Sequence, residues 1–125
     1  EYREAENAFY DEHMCHGDCV DLGFRDNGLR GNRTMYQTMW GPSEFTANGT
    51  LQDYDISPEL HTVEVPVLMI CGEFDEAAPK SCKKFADMVP DAVNVVVPNA
   101  GHAILSEGKE LVIGTIIEFL AEKLK

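Results

Sequence analysis

Val65-Pro66-Val67-Leu68-Met69-Ile70-Cys71, running on into Gly72-Glu73-Phe74-Asp75-Glu76, has a counterpart in Val93-Asn94-Val95-Val96-Val97-Pro98 followed by Asn99-Ala100-Gly101-His102. A continuous Val/Ile/Leu run is the pattern of a parallel strand covered on both faces. Ligands and reactive groups collect beyond the carboxyl ends of such strands. Asp75 and His102 are therefore expected on one rim of one sheet, a strand apart. An acid that orients a histidine, which in turn takes a proton from a nucleophile, is a charge relay. Two of its three members are in place.

Working outward, Pro79 to Val89 reads as a helix with proline in its first turn. Glu107 to Lys123 reads as a last helix, apolar at Leu111, Ile113, Ile116, Ile117, Leu120 and Leu124. The order is β-α-β-α, the signature of parallel strands joined by crossovers, so the fold class is α/β. Two strands leave sheet edges uncovered. Further sheet is expected from outside these residues.

The relay's nucleophile belongs on a sharp strand-to-helix elbow written Gly-x-Ser-x-Gly, ahead of the acid and the histidine in chain order. No such pattern occurs. The nearest stretch, Gly41-Pro42-Ser43-Glu44-Phe45, lacks the second glycine and a preceding buried strand. Ser81 and Ser106 stand where helices begin and read as N-caps. The nucleophile is expected from an upstream segment or another chain, and this chain alone is expected to be inactive.

Towards the N-terminus the strand pattern disappears. Tyr2, Ala5, Phe9, Tyr10 and His13 recur at near-helical spacing over residues 1 to about 14. Cys15 to Arg33 is rich in Gly, Asp and Asn and reads as a loop. Met35, Tyr36, Met39 and Trp40 return to helical spacing until Gly41-Pro42 stops it. Residues 1–50 thus read as part of a helical cap, and residues 51–125 as part of an α/β core.

The chain has 125 residues and a net charge of −12. That charge excludes nucleic acid and anionic membranes as partners, since both need a face rich in Lys and Arg. The one basic run, Lys80 to Lys84, reads as a solvated helix surface. No apolar run approaches the roughly 20 residues of a membrane helix. No signal peptide is read in the acidic helical pattern at residues 1–14. Four cysteines, Cys15, Cys19, Cys71 and Cys82, without disulfide-like density favour reduced thiols and a cytoplasmic location. His13, Cys15, His16 and Cys19 raise the question of zinc, but their spacing matches no recognised finger and no second ligand pair follows, so no metal is expected. Asn32-Arg33-Thr34 and Asn48-Gly49-Thr50 are glycosylation sequons only in a secreted protein.

Met39-Trp40-Gly41-Pro42-Ser43-Glu44-Phe45-Thr46-Ala47-Asn48-Gly49-Thr50-Leu51-Gln52-Asp53-Tyr54-Asp55 closely resembles a segment of the proline iminopeptidases, serine peptidases of the α/β-hydrolase fold. Gly-Glu-Phe-Asp-Glu after one strand and Gly-His after the next, in this order, complete the resemblance. It covers nearly the whole chain and corresponds to the C-terminal portion of that family. It implies hydrolysis of an N-terminal residue, often proline, from short peptides with a free N-terminus, without a cofactor. It also implies that Asp75 is the relay acid, His102 the general base, and Glu44 with Glu76 the carboxylates that bind the substrate's α-amino group. Read without it, Glu44 only solvates the segment after Pro42, and Glu76 is a charged loop residue before a helix. Glu73 is a rival acid for Asp75. Tyr36, Trp40, Phe45 and Tyr54 are core aromatics or contacts of the substrate ring. Two other readings stay open. One is an esterase or amidase with the same relay, and the other is a non-catalytic hydrolase half that binds a partner, or forms a homo-oligomer, through its open sheet edge.

Overall fold

The computed structural model describes residues 1–17, 32–43 and 45–124. In chain order its elements are α1 (Tyr2–His13), α2 (Arg33–Met39), a 3-10 helix (Ser57–Thr62), β1 (Val67–Gly72), α3 (Pro79–Ala86), β2 (Ala92–Val97), α4 (Ile104–Glu107) and α5 (Lys109–Lys123). They divide into two compact units, Glu1–Val20 with Glu59–Lys125, and Asp21–Pro58. The boundary therefore does not fall at residue 50. The physical reason is that the end of α1 hydrogen-bonds to the strand unit: the His102 and Ala103 N–H groups donate to the carbonyls of His13 and Met14 at 2.7 and 2.9 Å.

In the first unit β1 and β2 pair in parallel, in register from Val67 opposite Ala92 to Gly72 opposite Val97. The β-α-β-α order and the α/β class read from the sequence are what the chain adopts. Among the described residues the sheet has two strands, and this changes the burial that the apolar runs predicted. Most of β1 and β2 is half-buried, and only Cys71, Gly72 and Val97 are fully so. The core is correspondingly small: Val97, Ala100 and Val112, with Ile70 and Ile104 packed against them.

The helices differ from expectation at their ends. Ser106 lies inside the short α4, and α5 starts after Gly108, two residues beyond the Glu107 at which the last helix was expected to begin. Ser81 lies in the first turn of α3, whose N-cap is Ala78. Neither serine caps a helix. On α5 only Val112 is buried; the apolar positions read as its core face, Leu111, Ile113, Ile116, Ile117, Leu120 and Leu124, are exposed.

The second unit is built around α2. The Asn32 side chain accepts the Met35 N–H at 3.1 Å and caps the helix, as Asn does at N-termini. The unpaired carbonyls of the helix's last turn are then met by the returning chain. Thr38 accepts from Thr50, Met39 from Leu51, and Trp40 from both Asn48 and Gly49, at 2.7–3.0 Å. Ser43 sits in a tight turn bridged to Thr46 rather than at a strand-to-helix elbow.

Candidate active site

The loops that leave β1 and β2 are laced to each other by backbone hydrogen bonds. The Glu73 N–H donates to the Val97 carbonyl and the Phe74 N–H to that of Ala100, each at 2.9 Å. This lacing requires glycine at the end of β1, because a Cβ on Gly72 would lie 2.1 Å from the Gly101 carbonyl oxygen and 2.3 Å from that of Ala100. Asn99 makes the turn after β2 at φ 54°, a left-handed conformation that Asn tolerates.

Asp75 is the one buried charged residue among those described. Its Oδ2 accepts the Gly72 N–H at 3.1 Å, and its Oδ1 accepts the Ala77 N–H at 2.9 Å. His102 Nδ1 faces the same Oδ1 at 2.9 Å. A carboxylate only accepts, so Nδ1 carries a proton, and in the neutral imidazole Nε2 keeps its lone pair. His102 is half-exposed while Asp75 is almost fully covered. The arrangement can hold an imidazole in one tautomer and present a basic nitrogen to whatever occupies the rim.

Glu73 is placed differently from Asp75. Its Oε2 accepts the Asn99 N–H at 2.9 Å, so it holds the turn after β2 instead of the histidine. Glu76 follows Asp75 directly and is exposed on the same rim. Glu44 lies outside the described residues, so the structure does not place it with Glu76.

Three residues acquire partners that the sequence did not suggest. The His13 Nδ1–H donates to the Phe74 carbonyl at 2.6 Å, and the His16 ring stacks on the Phe74 ring with centroids 3.7 Å apart. Glu107 accepts the Gly17 N–H on Oε1 and the Gly101 N–H on Oε2, both at 2.8 Å. Helical spacing put His13 on α1, but its partner lies 61 residues away and leaves no local signal. Glu107, five residues beyond His102, was readable only as a helix residue.

The cysteines correct the expectation of uniformly reduced thiols. Cys15 is disulfide-bonded, and Cys71 and Cys82 are free. Cys19 lies outside the described residues. Among those described, no group of His, Cys, Asp or Glu is arranged to hold a metal ion, and no helix is long and apolar enough to cross a membrane.

The chain is similar to several known proteins. The crystal structure of proline iminopeptidase from Mycobacterium smegmatis superposes with a TM-score of 0.84 at 35% identity, covering 98% of this chain and 42% of that one. The crystal structure of VinJ superposes at 0.77 with 31% identity and the same coverage. The proline iminopeptidase of Thermoplasma volcanium is 28% identical over 125 residues, 99% of this chain and 42% of its own length. No family model matches the sequence. The parallel β-α-β-α unit and its superposition on these structures make the chain part of an α/β-hydrolase. Within that fold it is similar to proline iminopeptidases, and it spans about two fifths of the length of the relatives it matches.

Proposed function

We propose that this chain supplies the acid–base half of a serine aminopeptidase of the proline iminopeptidase type. The observation that carries this reading is the 2.9 Å contact between His102 Nδ1 and a buried, backbone-held Asp75. A serine from outside these 125 residues attacks the carbonyl of the substrate's first residue. His102 Nε2 takes the serine proton and returns it to the leaving amine, while Asp75 keeps the imidazole in register. The acyl-enzyme is then hydrolysed by water through the same histidine.

Glu76, with Glu44, binds the protonated α-amine of a short peptide. Two carboxylates at a relay favour substrates with a free N-terminus over blocked ones. The nucleophile-bearing segment is the proposed partner, and the exposed apolar residues of α5 are the surface that supports one. A cytoplasmic site of action has support from the free thiols of Cys71 and Cys82, and the Cys15 disulfide counts against it.

The test starts with protein isolated from its source and mapped by mass spectrometry for an associated Gly-x-Ser-x-Gly peptide. Proline 4-nitroanilide and its N-acetyl form are then compared as substrates. Hydrolysis of the free amine alone, abolished by a serine-directed sulfonyl fluoride, is the expected result. Equal rates on both substrates would replace it with the esterase or amidase reading. Absence of both the serine peptide and hydrolysis would leave the partner-binding module.

A further inference from the structure

We infer that His13 is a positioning residue for the Asp75–His102 pair, bracing both relay loops from the last turn of α1; the inference rests on the relay reading above. Its side chain and its backbone act on different loops. The Nδ1–H holds the carbonyl of Phe74, the residue before Asp75, at 2.6 Å. The carbonyl accepts the N–H of His102 itself at 2.7 Å, and the Ala103 N–H is taken by Met14 next to it. One residue thus spans the acid's loop and the base.

The surroundings keep this brace in place. Gly101 allows the close approach, since a Cβ there would lie 2.7 Å from the His13 carbonyl oxygen. Glu107 ties the Gly101 N–H and the Gly17 N–H together through its two oxygens, fastening the chain after α1 to the residue before His102. The His16 ring covers Phe74 from the same segment. Asp75 and His102 make contact through a single Nδ1–Oδ1 pair, so a small relative shift of the two loops lengthens the one bond that sets the tautomer. Misplacement of about 1 Å is enough to cost on the order of 100-fold in rate.

Substitution separates this role from plain packing. His13→Phe keeps a ring and removes the donor, whereas His13→Asn keeps an N–H donor near the Nδ1 position. In the active assembly of this chain with its nucleophile-bearing segment, His13→Phe is expected to lower kcat roughly 10- to 100-fold with KM within about 2-fold, and His13→Asn to restore most of it. Hydrogen exchange on the same protein should show about 10-fold faster exchange at the His102 and Ala103 amides in His13→Phe, with the Ile70 amide unchanged. Full kcat in His13→Phe alongside an inactive Asp75→Asn would overturn the brace and leave the relay standing. Faster exchange at Ile70 in both variants would reduce His13 to a fold-holding residue and overturn positioning. An Asp75→Asn variant as active as its parent would remove the relay itself, and the brace with it.

Discussion

Asp75 and Glu73 stand two residues apart, both carboxylates after the same strand, and what distinguishes them is their hydrogen-bond donors. Asp75 meets two backbone N–H groups and an imidazole, while Glu73 meets the amide of the Asn99 turn. In the assembled enzyme Asp75→Asn is expected to lower kcat by roughly 10⁴-fold, because the amide favours the wrong imidazole tautomer. Glu73→Gln should stay within a few-fold, and steady-state kinetics on proline 4-nitroanilide separates the two. Glu76→Gln is expected to raise KM about 10-fold while leaving kcat nearly unchanged, as loss of ground-state amine binding does. Cys71 supports a pH prediction. Burial first, and then the neighbouring Cys82 thiol, pushes its pKa up from 9.0 to about 12. Between those values the unfolded chain loses this proton and the folded chain keeps it, so the thiol's contribution to stability is present below pH 9.0 and is lost as pH rises towards about 12. Denaturant titrations at a series of alkaline pH values should show the decline, and Cys71→Ser should flatten it. That Asp75 and His102 come together was legible because each follows a Val/Ile-rich strand. The partners of His13 and Glu107 were not, because a contact across 61 or 90 residues follows no sequence period.

The elements repeat this division between what is local and what is not. β1, β2, α1 and α3 were readable from period and punctuation, since strand runs and a proline in the first turn of a helix are local signals. The break between α4 and α5 was not. Gly108 lies against Val97, so closely that a Cβ would meet its Cγ1 at 2.4 Å, and this is a tertiary constraint on a sequence that is otherwise helical. The amphipathic reading of α5 named Leu111, Ile113, Ile116, Ile117, Leu120 and Leu124 and passed over Val112, the one position the helix buries. Two substitutions test that distribution. Val112→Ala is expected to destabilise the chain by about 2 kcal/mol through lost contacts and a residual cavity. Ile117→Asp, at an exposed position, should change the chain's own stability by no more than about 0.5 kcal/mol. If α5 is the face that receives the nucleophile-bearing segment, Ile117→Asp should nevertheless weaken that association. Chemical denaturation and a pull-down measure the two effects independently.

At the scale of the whole molecule, a small core of Val97, Ala100 and Val112 coexists with a row of exposed apolar side chains on α5 and two strands that are mostly half-buried. Contiguous apolar surface of this kind drives association. The isolated chain is therefore expected to elute from size-exclusion columns as an oligomer or aggregate, and a monomeric peak stable at high concentration would contradict the reading of α5 as an interface. The net charge of −12 opposes self-association through mutual repulsion, so the oligomeric fraction should rise with salt. The tie between Gly17 and Glu107 also bears on how the protein is made. Synthesis runs from the N-terminus, so the ribosome completes Gly17, just after α1, ninety residues before the carboxylate that fastens it. Until Glu107 has been added, the chain after α1 lacks the carboxylate that ties Gly17 to Gly101, although Phe74 and His102, on which His13 docks, are already present. A nascent chain arrested before that codon is therefore expected to hold its rim without the Glu107 tie, and the last helices fasten a site whose acid and histidine were translated before them.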